Sequence, residues 1–442
     1  MRNLNLAIAI ALFFGIEALA GGAVGSGLAL LATIAWLWVS EALHVSVTAL
    51  LVPLLAAVTG LLPFDEALRQ FADPVIFLFL GGFALAAGLH RQGLDVRIAA
   101  WVIARAGQRL GRAARWLFWL TALLSMWISN TATAAMMLPL ALGLLSPLPY
   151  ESHRSTYAYV LLGVAFAANI GGMGTLVGSP PNAIAAANVG MDFADWLLWG
   201  IPLVLVLMPL MELALRWTLK PELSARVEAP VGGTGDWGAP QSLMLGVFAL
   251  TVALWVFGAP LAVISGLGRG FDAAVALFAL FLLHGLRLAS WDDIDRSAEW
   301  GVLLLFGGGL TLSRVLSDSG AAAWIAAQFG EPLAMLPAVL CLALVILFAM
   351  AITEVTSNTA SAALLVPLFL QLAPGLPGEP LAVLVASAAS CAFLLPVATP
   401  PNAIVYGSGK LPQRTMIRGG LGVSAVAFPV LLAAGALGLM FA

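Results

Sequence analysis

Charge is what this sequence has least of. Lys, Arg, Asp and Glu together make up 9% of its 442 residues, against roughly a quarter in soluble domains. A chain of this length could not cover a water-facing surface with so few ionic groups, which excludes a soluble fold. Hydrophobic residues make up 62%, so lipid is the solvent for most of the chain. Cysteine is almost as scarce. Cys341 and Cys391 both lie inside apolar runs, which excludes a disulfide framework and reads as two small buried hydrophobes. The four histidines, His44, His90, His153 and His284, are scattered, and no His-Glu-x-x-His, paired aspartates or Ser/His pair falls at bilayer depth. Zinc chemistry and an intramembrane enzyme are therefore not expected. A net charge of −3 gives no reason to expect a nucleic-acid partner.

What is there is long apolar segments. Stretches of roughly 17 to 25 apolar residues can span a bilayer, and they fall at 4–20, 22–40, 44–62, 74–90, 157–187, 195–217, 241–258, 271–287, 299–315, 381–407 and 419–441. The first, with Glu17 in it, reads as an uncleaved helix and not as a signal peptide. Two further stretches, 116–146 and 335–372, are about 30 residues or longer and carry a polar Ser-Asn-Thr cluster in the middle. Two half-length helices meeting at a polar tip fit them better than a single span. The expected fold is thus an all-α polytopic membrane protein of eleven transmembrane helices and two re-entrant hairpins. With the N-terminus in the cytoplasm and the C-terminus outside, all but Arg69, Arg269 and Arg314 of the 19 basic residues lie inside, a strong positive-inside bias. His90 and the arginines from Arg91 to Arg115 read as an inner amphipathic segment meeting anionic headgroups.

The chain also repeats itself in order. Leu80-Gly81-Gly82 is echoed by Phe306-Gly307-Gly308-Gly309. Ser129-Asn130-Thr131-Ala132 is echoed by Ser357-Asn358-Thr359-Ala360, and Ser179-Pro180-Pro181-Asn182 by Thr399-Pro400-Pro401-Asn402. By the charge topology the first hairpin enters from inside and the second from outside. This predicts two inverted repeats, 1–220 and 241–442, joined by a Pro-, Gly- and charge-rich linker at 221–240, with a central site as in secondary transporters. The glycine pairs read as close-packing devices. The proline pairs predict that 157–187 and 381–407 are broken helices, because unwound backbone in hydrocarbon is tolerated only where it is buried in protein or lines a cavity. Ser, Thr and Asn side chains with freed carbonyls are hard oxygen ligands suited to an alkali cation. Freed N–H groups at new helix starts suit an anion. No Arg or Lys joins this constellation, so bound sodium is the expected charge compensation.

The segment Ala389-Ser390-Cys391-Ala392-Phe393-Leu394-Leu395-Pro396-Val397-Ala398-Thr399-Pro400-Pro401-Asn402-Ala403-Ile404-Val405, the paired Ser-Asn-Thr motifs and Trp38-Val39-Ser40-Glu41-Ala42-Leu43 resemble the divalent anion:sodium symporter family. The likeness runs from about residue 36 to 420. It implies an inner-membrane homodimer that couples sodium entry to uptake of a C4-dicarboxylate or tricarboxylate, with a transport unit moving like an elevator against a scaffold. It implies a first sodium site at Ser125, Ser129, Asn130 and the Gly178 carbonyl. A second would use Thr353, Thr356, Asn358 and the Ala398 carbonyl. Substrate carboxylates would meet Ser129, Asn130, Thr131, Ser179, Ser357, Asn358, Thr359, Thr399 and Pro400.

Other acidic groups are read more plainly. Glu41 is expected to be structural, and Glu354, beside the second tip, to brace its hairpin, with tuning of cation binding as the alternative. A sodium-independent anion exchanger of the same fold is the alternative. It would be expected to carry a fixed positive charge near the tips, where the sequence has none. A sodium/proton antiporter would want a lone buried aspartate at the tips or breaks, also absent.

Overall fold

The computed structural model describes residues 2–105, 109–226, 237–334, 336–373 and 375–441. Half of the expected linker 221–240, residues 227–236, lies outside the described residues. The described chain is helical, with one isolated β-bridge between Arg109 and Arg226. Its first half runs α1 (Arg2–Ala20), α2 (Gly22–Ser40), α3 (Val45–Val58), α4 (Phe64–Arg69), α5 (Pro74–Arg91), α6 (Leu94–Arg105), α7 (Leu110–Ser125) and α8 (Asn130–Leu145). It continues with α9 (Arg154–Gly172), a 3-10 turn at Leu176–Gly178, α10 (Pro180–Val189) and α11 (Phe193–Leu219). The second half begins with α12 (Ala239–Phe257), α13 (Ala259–Ser265), α14 (Phe271–Gly285), α15 (Trp291–Ser297), α16 (Trp300–Asp318) and α17 (Ala321–Ala334). It ends with α18 (Ala338–Thr353), α19 (Asn358–Leu372), α20 (Gly378–Ala389), α21 (Pro400–Gly407) and α22 (Gln413–Phe441).

Local sequence explains where these helices start. Proline occupies the first turn of α5, α10, α12 and α21, where its missing N–H is an orphan in any case. Ser129 and Ser357 cap α8 and α19, accepting from the N–H of Ala132 and Ala360 at 3.4 and 3.1 Å, the arrangement that favours serine at this position. Gly190 closes α10 at φ 75°, a left-handed conformation that costs glycine nothing.

Nine helical stretches among the described residues are long and apolar enough to cross a membrane. The two expected spans missing from that set are 44–62, whose helix α3 is 14 residues long, and 381–407, which is divided into α20 and α21. The paired helices α7–α8 and α18–α19 have 15 or 16 residues each. At 1.5 Å per residue such a helix is about 24 Å long, short of the roughly 30 Å hydrocarbon core.

Packing follows the same pattern in both halves. Helix α5 packs on α14 as α16 packs on α3. Helices α7 and α8 pack on α9 as α18 and α19 pack on α20, while α10 meets α19 and α20 as α21 meets α8 and α9. The glycines sit at these crossings. A Cβ on Gly81 would lie 2.5 Å from the side chain of Ala276, and one on Gly308 would lie 2.6 Å from the Ala49 carbonyl. The backbones therefore meet without intervening side chains.

Candidate ion and anion site

Both long helices break where the proline pairs stand. After Gly172 the chain is irregular but for one 3-10 turn until Pro180, and after Ala389 until Pro400. Carbonyls and N–H groups released there need partners, and the hairpin turns supply them. The Ser125 hydroxyl donates to the Ala168 carbonyl at 2.7 Å and lies 2.6 Å from Asn130 Oδ1. The Thr353 hydroxyl does the same in the second half, 2.5 Å from the Ala389 carbonyl and 2.8 Å from Asn358 Oδ1. Each asparagine at a helix start is thus tied by its oxygen to the arm that precedes it.

The first tip surrounds a cluster of oxygens. A Cβ placed on Gly178 would lie 2.6 Å from the Gly172 carbonyl oxygen and 3.1 Å from those of Ser125 and Met126. One on Gly172 would lie 2.4 Å from Asn130 Oδ1. Three main-chain oxygens converge on the space beside Gly178, and the Asn130 amide oxygen faces the separate gap left at Gly172, each kept open because the glycine lacks a side chain. That donor set is neutral, hard and tightly spaced, which fits an alkali cation and not a soft metal.

The two halves brace their breaks differently. In the first, the Thr175 hydroxyl reaches the Met126 carbonyl at 2.5 Å. In the second, the Glu354 carboxylate accepts from the N–H groups of Phe393, Leu394 and Leu395 at 2.8–3.1 Å. The bracing role read from the sequence for Glu354 is what the geometry shows.

Between the tips lies a cavity of about 460 Å³. Ser129, Asn130, Thr131, Gly178, Ser179, Ser357, Asn358, Thr359, Ala398, Thr399 and Pro400 all line it. The expected residues from sequence positions 228 apart are therefore brought to one chamber. Ser125 and Thr353 stand behind it, fully buried. Thr356 is not on its wall: its hydroxyl is used inside the hairpin, on the Ile352 carbonyl at 3.0 Å and Ser361 Oγ at 2.5 Å. Among the described residues, no Lys or Arg lines the cavity.

Sequence reasoning read one group on this wall, Glu41, as structural and missed two others, Glu299 and Asn169. Glu41, at φ 47° past the end of α2, and Glu299, preceding α16, both face the chamber. Glu299 shares this wall with Ser129. Asn169, fully buried, donates from Nδ2 to Thr399 Oγ1 at 3.2 Å across the two halves. Through Phe83, Ser129, Thr131 and Glu299 the chamber adjoins a second cavity of about 320 Å³ that ends at His90, Asp95 and Arg296. There His90 Nδ1 is 2.7 Å from Asp95 Oδ2.

The chain is similar to known transporters over most of its length. The citrate transporter family profile matches residues 35–389. The chain belongs to that family, among the divalent anion:sodium symporters. It is 49% identical to an uncharacterized transporter of Haemophilus influenzae over 93% of this chain and 91% of that one. It is 32% identical to the sodium-dependent dicarboxylate transporter SdcS of Staphylococcus saprophyticus, over 92% of this chain and 85% of that one. Among solved structures, the YdaH transporter of Alcanivorax borkumensis shares the fold, with a TM-score of 0.56 at 16% identity over 84% of this chain and 86% of that one. This member of the family is a multi-pass membrane transporter and not an enzyme.

Proposed function

We propose that this transporter couples sodium entry to the uptake of a small di- or tricarboxylate, with one cation cradle behind each hairpin tip and the anion in the chamber between them. The observation that carries this reading is the cradle at Gly178: oxygen ligands converge on it, and the described residues lining the adjoining anion chamber carry no fixed positive charge. A dianion entering such a chamber needs compensation from mobile cations. Asn130 and Asn358 point one amide oxygen at the hydroxyl behind the tip, and their N–H₂ groups remain for a carboxylate. One residue then serves ion and anion together, which couples the two binding events. The sodium dependence printed in the SdcS name agrees with this reading.

Further parts of the proposal rest on the resemblance and the charge pattern. The hairpins, breaks, α11 and α22 form the moving unit of an elevator, and α2, α3, α5, α14 and α16 form the scaffold. Two such chains make a homodimer in the inner membrane, built from inverted repeats 1–220 and 241–442. The N-terminus is cytoplasmic and the C-terminus outside. Eleven spans follow if α3 and the broken α20–α21 segment each complete a crossing and both helix pairs are re-entrant. The test is uptake of labelled succinate, citrate and sulfate into proteoliposomes, with and without an inward sodium gradient. Sodium-dependent accumulation of a carboxylate is expected. Full uptake without sodium on either side, driven by internal anion alone, would favour the exchanger instead.

A further inference from the structure

Asn182 and Asn402 lie behind the chamber, outside the ion and anion contacts assigned above, yet both are built into the same unusual arrangement. Each is the third residue of the helix that follows its break. The side-chain N–H₂ of Asn182 donates to the carbonyls of Gly172 at 2.8 Å and Thr175 at 2.7 Å. That of Asn402 donates to the carbonyls of Ala392 at 3.1 Å and Leu395 at 3.0 Å. Both residues are 0% exposed, and the amide oxygen of each has no hydrogen-bond partner among the described residues. Two hydrogens of one amide group thus hold two carbonyls three residues apart, once in each half of the molecule.

The carbonyl that Asn182 holds is one the cradle uses. The Gly172 oxygen is the one nearest the open space beside Gly178, and a carbonyl that accepts one hydrogen bond retains a second lone pair for a cation. Asn182 therefore fixes the direction of a ligand and the curvature of the loop, 172–178, that brings the Gly178 carbonyl forward. Asn402 holds the corresponding loop, whose next residues include Ala398. The same device, two carbonyls three residues apart held by one amide in matching places of both halves, calls for a shared role.

We propose that Asn182 and Asn402 are positioning residues that set the size of the two cation cradles and so decide which alkali ion the carrier accepts. The inference rests on the sodium-coupled reading above. A plain brace would weaken every cation alike, whereas a residue that sets cradle size changes the ratio between ions of different radius. The test compares Asn182→Ser and Asn402→Ser, which retain one donor, with Asn182→Asp and Asn402→Asp, which keep the size and lose both donors when ionised. In proteoliposomes, half-saturating sodium is expected to rise about tenfold or more. Anion affinity at saturating sodium should change less than about threefold, and the lithium-to-sodium activity ratio should shift by more than threefold. An unchanged ratio, or a loss that falls on the anion at saturating sodium, overturns the proposal. So does failure of all four variants to fold, which would make the asparagines braces only. Absence of any sodium dependence in the unmodified protein would instead refute the coupled reading itself.

Discussion

At the scale of single residues, the chamber sets two carboxylates beside the place where an anion is expected. Among the described residues, Glu299 has no lysine or arginine next to it on that wall, which it shares with Ser129. Like charges across a cavity of this size repel by about 2 kcal/mol at an effective dielectric near 20. Glu299→Gln is therefore expected to tighten dicarboxylate binding by roughly ten- to thirtyfold at fixed sodium, measured by equilibrium binding in detergent. Unchanged or weaker binding would mean that the carboxylate is neutralised in the resting protein. The asparagines at the tips lead to a different outcome. Asn130→Ala or Asn358→Ala removes a group that faces ion and anion at once, and linkage between the two ligands is reciprocal. Each variant should lose about 1.5–3 kcal/mol in anion affinity and also raise half-saturating sodium. A variant whose sodium dependence stays intact would reduce that asparagine to an anion contact.

At the scale of elements, the breaks and tips act as matched pairs, and a methyl group is enough to test one of them. Gly178→Ala would place a carbon within 2.6–3.1 Å of three carbonyl oxygens, filling the space meant for the ion. Loss of sodium-dependent binding is expected in sodium titration, together with a lower unfolding temperature because the carbonyls it meets are main chain. Glu354→Gln acts on the other half: one carboxylate oxygen becomes a donor facing N–H groups, so buried donors of residues 393–395 lose their acceptor. A cost of about 1–3 kcal/mol per group should appear as a lower unfolding temperature, with the first cradle unaffected. Much of this was legible in the sequence, because Ser-Asn-Thr and Pro-Pro-Asn stretches break apolar helices twice in the same order. The roles of Glu299, Asn169 and the paired Asn182 and Asn402 were not. An acid before a helix start looks like ordinary capping, and the bond from Asn169 to Thr399 spans 230 residues. Thr356, which the resemblance assigns to the second ion site, has its hydroxyl on the Ile352 carbonyl and Ser361 Oγ inside its own hairpin.

At the scale of the whole molecule, the proposal divides the helices into a unit that moves and a wall that stays. The hydrogen bond from Ser313 Oγ on α16 to Asn188 Oδ1 on α10, at 3.0 Å, crosses that division. In a Cys341→Ala/Cys391→Ala background, paired cysteines at 188 and 313, bridged by mercury or oxidation, should stop uptake, and a reductant should restore it. Uptake that continues through a complete cross-link would refute the elevator division. The bareness of the chamber wall has an electrical consequence as well. Glu41 and Glu299 stand at the ends of helices assigned to the stationary wall, while the tips and breaks that carry the cargo bring no charged side chain of their own to the chamber. Apart from Glu354, which travels with the second hairpin whether loaded or empty, the shuttled parcel is then charged only by what it has picked up. Two monovalent cations with a dianion add no net charge to it, so loading with them should not change its response to membrane voltage. The same two cations with a trianion leave one negative charge, and that cargo should be driven outward by an inside-negative potential.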